Sequence, residues 1–476
     1  MKSPTTQRAL VVYTALAMVQ RSMSLLLLPF VTRAMSPHEY GMVSIIVALG
    51  MFASVLMSAA VEQAVFRSAA RAEIDPDQRS TLAAAAVWLA WIGPSICLAV
   101  AVAVLVTDLR IFQIPAACIA IGLLAIGIGM YPGAYVQTCL RAQQRLRGFV
   151  LLAGTSILIG VATKFGLVIV GGHGIWGWVL SDLCAASATL VVAVFLLKPE
   201  QWSLSRAGFL QLAAFAIPIV PHVMAFWALS SLSRPLMATV LPLSEVGEFA
   251  VAFNAANVGM LLAVEVNRAV AVDYAADSLP GPSRRLARIV RLQLAIAVVA
   301  PVLICGASRP FVAWVVPTSA YGSVVPLLAI LSVAPYLWTV YVLAINFVTM
   351  TAGRPAWNWT ASVSGATVMA VGTVLLGSTI GVEGVAVAQV ACYGVMALVS
   401  HWLLRRMSLE VDWRRSGLTP AWLLVGLAAI SIAAVPTFFD ARDGVWFAAV
   451  ATSIALAAGL LLAAVRESSY ETSLDT

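Results

Sequence analysis

Residues 81–106 read TLAAAAVWLAWIGPSICLAVAVAVLV, an apolar run without a charged side chain. As a helix it would rise about 39 Å, more than the roughly 30 Å of hydrocarbon in a bilayer. The run therefore reads as a transmembrane helix, and the pattern recurs. Further apolar runs lie near residues 10–31, 41–66, 111–138, 150–170, 174–197, 210–232, 245–270, 289–308, 321–350, 356–377, 381–404, 418–437 and 444–465. The expected architecture is an all-α integral membrane protein with about fourteen spans. Composition agrees: 61% of the 476 residues are hydrophobic and 10% are charged, against about 25% charged in soluble domains, and mean hydropathy is +0.96. The longest polar stretch, Ala271 to Arg288, is too short for an independent domain of about 50 residues. A sizeable extramembrane catalytic or nucleic-acid-binding module is thereby excluded. Pro115, Pro132, Pro326 and Pro335 fall inside long runs and predict kinks or interfacial turns there.

The formal charge is +7, and its meaning lies in its placement, because Lys and Arg collect in cytoplasmic loops. With the N-terminus inside, twenty of the 28 basic residues fall in cytoplasmic segments and five, Arg33, Arg110, Arg234, Arg309 and Arg442, in outer loops. Arg21, Lys164 and Arg268 fall inside spans. The bias predicts a multi-pass protein of the cytoplasmic (inner) membrane with both termini cytoplasmic. Membrane lipids rather than nucleic acid are the expected partners of the basic loops, including the run Arg141 to Arg147. Six cysteines stand singly in apolar segments, which fits small core residues and predicts neither disulfide nor metal. Lys2 and Arg8 precede an apolar run as in a signal peptide, but Arg21 interrupts it and apolar sequence continues to Val31; an uncleaved first helix is expected.

A repeat underlies the pattern. The entry to the second span, Pro37-His38-Glu39-Tyr40-Gly41, matches Leu243-Ser244-Glu245-Val246-Gly247 at an offset of 206. Gly174-Ile175-Trp176-Gly177 matches Gly384-Val385-Ala386-Val387 at 210, and the breaks Ala142 and Ala352 share that offset. These matches predict two six-helix lobes related by pseudo-twofold symmetry, residues 1–207 and 208–410, followed by two extra helices and a tail in 411–476. Even-numbered halves enter the membrane with the same orientation. Parallel repeats of that kind build transporters with a midplane site between the halves.

The stretch Leu25 to Gly41, LLLLPFVTRAMSPHEYG, resembles the N-terminal motif of the oligosaccharide flippases of polysaccharide biosynthesis. These belong to the multidrug/oligosaccharidyl-lipid/polysaccharide (MOP) exporter superfamily. The glycine-rich openings of spans 6 and 12 and the two-times-six-plus-two layout are similar as well, so the resemblance covers essentially the whole chain. It implies two lobes opening alternately to either face, with spans 1, 2, 7 and 8 lining a central cleft. The implied cargo is a polyprenyl-diphosphate-linked oligosaccharide moved outward for cell-surface polysaccharide synthesis. A polysaccharide polymerase and glycosyltransferases would be its functional partners.

Charges within spans are costly, about 2.5 to 3.5 kcal/mol each at the centre on insertion scales, so each needs a reason. Arg21 lies near mid-depth of the first span: a guanidinium holding a diphosphate through paired hydrogen bonds is one reading, an interhelical structural bond the other. Lys164 and Asp182 fall roughly 9 and 12 Å from the same membrane face. They form either a structural ion pair, or a phosphate contact and a proton-coupled carboxylate. The 206 offset maps Glu62 onto Arg268 and Arg67 onto Asp273, opposite charges that would suit a cytoplasmic gate. Snorkelling to water, or pairing of Arg268 with Glu265 one turn away, is the plainer account. Asn254, Asn257, Asn346 and His222 lie on expected cleft spans, where sugar contact competes with interhelical packing. Pro218 and Pro221 should bend the seventh span.

The alternatives are a drug/cation antiporter of the same superfamily, a lipid II flippase and, in another class, a membrane glycosyltransferase or polymerase. An antiporter needs deep carboxylates, and chiefly Asp182 qualifies. The enzymes would need acidic or histidine-rich outer loops, whereas the four histidines, 38, 173, 222 and 401, are scattered. No nucleophile, metal or nucleotide motif occurs, so no enzyme activity, cofactor or metal is expected. If Arg21 holds the diphosphate, Arg21→Ala abolishes export at unchanged protein level in a complementation assay; normal export removes it from the site.

Overall fold

The computed structural model describes residues 16, 26–70, 76–197, 205–279, 282–316, 320–354, 357–409, 411–413 and 420–472, and among them it holds helices and no strand. In chain order the helices are α1 (26–34), α2 (Pro37–Ser58), α3 (Gln78–Val106), α4 (Ala116–Ala142), α5 (Leu146–Val170), α6 (Gly174–Leu196), α7 (Arg206–Ile219 with Val223–Met237), α8 (Leu243–Ala276), α9 (Arg284–Val315), α10 (Val324–Thr351), α11 (Asn358–Ile380), α12 (Val382–Arg406), α13 (Trp422–Phe438) and α14 (Asp443–Val465). Eleven are long and apolar enough to cross a membrane, and bent α7 makes a twelfth if it is one span. Fourteen were expected; α13 falls short in length, and α1 lies partly outside the described residues.

Several helices run past the ends that hydropathy marks. The polar stretch 271–288 is mostly helical, since α8 continues to Ala276 and α9 starts at Arg284. At about 1.5 Å per residue α8 is roughly 51 Å long, more than hydrocarbon requires. The turn between them is tied down locally: Ser278 and Ser283 backbone N–H groups donate to the Asp277 carboxylate, and Ser283 Oγ accepts from Leu286 N–H at 3.3 Å to cap α9. The same lengthening corrects the placement of three arginines. Arg33, Arg234 and Arg309 lie in helices rather than loops. Arg234 is only 6% exposed, with its guanidinium 4.8 Å from the Phe253 ring centroid.

Prolines act where expected. Pro218 sits in a short 3₁₀ turn, Ile217–Ile219, and the two parts of α7 meet at 46°, since proline has no N–H for the helical ladder. Pro115 caps α4, Pro132 lies in a π-helical turn, Tyr131–Gln137, and Pro335 opens the second part of α10.

The chain divides into two compact units, Met1–Trp227 and Ala228–Thr476. The division falls within α7, whereas the repeat suggested a boundary ahead of it. In the first unit, the continuation of α2 (Ala60–Ala69) joins α3, α4, α5 and the start of α7 around buried Val65, Leu89, Val136, Leu140 and Leu152. In the second unit α13 and α14 pack on α9. There Arg309 donates to Asp443 at 2.7 Å and Asp440 at 2.9 Å, and its guanidinium stacks 4.9 Å from the Trp446 ring centroid, clamping the α13–α14 turn to α9.

The motif Glu39-Tyr40-Gly41 acquires a structural purpose in the first unit. Ser36 and Glu39 form a reciprocal capping box at the start of α2. The Glu39 carboxylate also lies directly against Gly174, which opens α6 at φ +50°, where the helix N-terminus favours negative charge. Tyr40 meets Trp178 edge-on at 6.4 Å. The second unit repeats the device, with Glu245 accepting from the Val382 N–H at the start of α12.

Glycine geometry also revises the register of the repeat. Gly174 and Gly381 both open a helix at positive φ, and Gly177 and Gly384 both bring that helix against a carbonyl of the one before, Leu167 and Leu376 respectively. Both pairs are 207 apart, near the 206 of the earlier match, so Gly177 rather than Gly174 is the counterpart of Gly384. Gly174→Ala, which combines positive φ with a clash against Glu39, should cost about 1–2 kcal/mol or more. Gly154→Ala, with open space around it, should be neutral or slightly stabilising. Thermal unfolding in detergent checks the contrast.

Candidate substrate-handling site

Helices α5 and α6 approach closely because Gly160 faces Ala185, where an added Cβ would be 3.7 Å away. Two polar rungs follow. The Thr163 and Ser181 hydroxyls lie 2.7 Å apart, and on the next residues Lys164 Nζ donates to Asp182 Oδ1 at 2.5 Å. The lysine side chain is 18% exposed and the aspartate 39%. Lys164 Nζ also lies 4.7 Å from the Trp178 ring centroid, on the ring whose edge meets Tyr40. Pairing lowers the cost of holding each charge within a span, and the aromatic face adds to it.

Beside this pair, α4, α5 and α6 line a half-open cavity of about 280 Å³. Gly129, Gly133 and Gln137 line it from α4, Ser156 from α5, and Asp182 and Thr189 from α6. Small residues leave the space, and the π-helical turn around Pro132 shapes its wall. Such turns often mark functional positions in helices. From the sequence only Asp182 was singled out; Gln137 and Ser156 carry no signal without knowledge of which faces of α4 and α5 meet.

Arg21 lies outside the described residues, and of His222 only its helical backbone is described. Asn254 and Asn257 are half-buried on α8. The four charges assigned to a gate have partners inside their own units. Glu62 accepts from Arg141 and Thr138, both at 3.3 Å, and the Arg67 guanidinium lies 5.1 Å from the Phe215 ring centroid. Arg268 pairs with Glu265 at 2.7 Å, and Asp273 with Arg285 at 2.7 Å. Asn346, 4% exposed, donates to Asn267 Oδ1 at 2.8 Å, and Gln293 donates to the same oxygen at 3.0 Å. Tyr274 OH in turn donates to Gln293 Oε1 at 3.3 Å. This network binds α8, α9 and α10 together. Asn267 and Gln293 escaped sequence reading because isolated amides near helix ends look like surface residues.

No curated protein sequence matches the chain. Among solved structures, the lipid II flippase MurJ in an inward closed conformation is similar over 98% of this chain and 100% of its own, at a TM-score of 0.71 and 13% identity. An inward-facing multidrug resistance MATE family transporter of the MOP superfamily follows at 0.60 and 15%, over 84% of this chain and 98% of its own. An outward-facing one reaches 0.53 and 14%, over 86% and 97%. At such identities the likeness shows the fold, which is that of the MOP superfamily transporters. A family model described as polysaccharide biosynthesis protein matches residues 8–272. That match spans more than half of the sequence, and the chain belongs to the polysaccharide biosynthesis protein family.

Proposed function

We propose that the protein flips a polyprenyl-diphosphate-linked oligosaccharide from the cytoplasmic to the outer leaflet of the inner membrane by alternating access, with both termini cytoplasmic. The observation that carries this reading within the superfamily is the engagement of Asp182 by Lys164. An exporter of cationic drugs needs a deep carboxylate available to its cargo, and here a lysine already occupies it. The family match favours a polysaccharide precursor over the lipid II for which MurJ is named. Arg21 is the proposed diphosphate ligand, with Asn254, Asn257 and His222 as candidate sugar contacts. The transport itself makes and breaks no covalent bond.

Proteoliposomes test the proposal. Undecaprenyl-diphosphate-linked disaccharide, placed in one leaflet, should become accessible to an external lectin when the protein is present. Movement of a cationic dye with no movement of the lipid-linked sugar would sink the reading. The role of Lys164 and Asp182 has its own test. Lys164→Asp and Asp182→Lys each leave two like charges together and should cost about 1–3 kcal/mol, discounted for the exposure of Asp182. The double swap should recover stability and transport; if it rescues neither single variant, the two are more than a simple pair.

A further inference from the structure

The cavity among α4, α5 and α6 lies beside the Lys164–Asp182 pair. Its volume of about 280 Å³ far exceeds the roughly 10–15 Å³ that admits one water and lies just below the range of about 300 Å³ upward in which small-ligand pockets fall. It is therefore roomy enough for one small ring, with an open side toward which the rest of a larger ligand can extend. Its polar lining is unfinished. Among the described residues neither the Gln137 amide nor the Ser156 hydroxyl has a protein hydrogen-bond partner, although both side chains are half-buried. Asp182 uses only Oδ1 for Lys164, leaving its second oxygen as an acceptor. Half-buried polar groups of this kind are ordinarily satisfied by water or ligand.

The groups on offer define the ligand. An amide gives two donors and an acceptor, a hydroxyl gives one of each, and a carboxylate oxygen accepts. Together they match adjacent hydroxyls, each of which both donates and accepts. Phosphate fits poorly, because none of the described lining residues is a cation and Lys164, beside them, is already held by Asp182. On the same face of α4 as Gln137, Gly129 and Gly133 present bare backbone with nothing within 4 Å of where a side chain would stand, room for the C–H face of a ring.

We propose that this cavity is a subsite for one uncharged sugar ring of the lipid-linked saccharide, with Gln137, Ser156 and Asp182 as its hydrogen-bonding residues. The proposal rests on the flippase reading above and adds where, within the first unit, the sugar is recognised.

Binding to the purified full-length protein in nanodiscs separates the two. The probes are undecaprenyl diphosphate alone and the same carrier bearing a single hexose, N-acetylhexosamine or 6-deoxyhexose. At least one glycosylated probe should bind more tightly than the bare carrier. Gln137→Leu and Ser156→Ala should each reduce that advantage by about five- to tenfold, the range of one lost hydrogen bond, while bare-carrier affinity and thermal unfolding stay unchanged. Ser156→Ala suits a helix and keeps the test valid if Gln137→Leu folds poorly. Full retention of the sugar advantage in both folded variants overturns the subsite, as does bare-carrier binding with no gain from any sugar. A Gln137-dependent stabilisation by sodium over potassium also overturns it, marking a cation site instead. Failure of every probe to bind overturns the flippase reading itself.

Discussion

A helix start buried at a membrane-protein interface presents unpaired N–H groups, and something negative has to meet them. In the first unit Glu39, which caps its own helix through Ser36, lies against Gly174 and sets its carboxylate beside the opening of α6. From this contact a chain of dependent interactions runs inward: Tyr40 on the edge of Trp178, Trp178 beneath the Lys164 ammonium, Lys164 on Asp182. The positions of α2, α5 and α6 are thus set together. Any side chain at Gly174 would push against the first link.

The second unit meets the same requirement independently. Glu245 reaches the start of α12, and Gly381 and Gly384 reproduce the left-handed opening and the close helix approach of Gly174 and Gly177. What the duplication preserves is therefore a way of closing each half on itself. The interiors have diverged: the first unit holds an ion pair beside a polar cavity, the second an amide network of Asn267, Gln293 and Asn346. Both devices give rigidity by satisfying polar groups where water is scarce.

Polar residues inside spans thus divide into two kinds. Most have their hydrogen bonds filled by the protein, as Thr163 and Ser181 do at 2.7 Å, and these hold helices together. Gln137 and Ser156, which have no protein hydrogen bond among the described residues, line space instead. Sequence cannot sort one kind from the other, because a glutamine facing a neighbour and a glutamine facing a cavity are spelled alike.

The amino-acid order by itself determined the membrane-spanning helical class, because it rests on composition and period that act locally, and the stretch Leu25 to Gly41 carried the resemblance to the flippase family. It also placed Lys164 and Asp182 at matching depth, since helical rise is a constant. Helix ends were less legible: α8 and α9 outlast their apolar stretches, as helix propensity persists where hydropathy fades, and Arg234 and Arg309 moved from loops into helices accordingly. The glycine register and the lining of the cavity were decided only in three dimensions. Which faces of α5 and α6 meet depends on the small volumes at Gly160 and Ala185 acting between helices, and that information exists only once they pack.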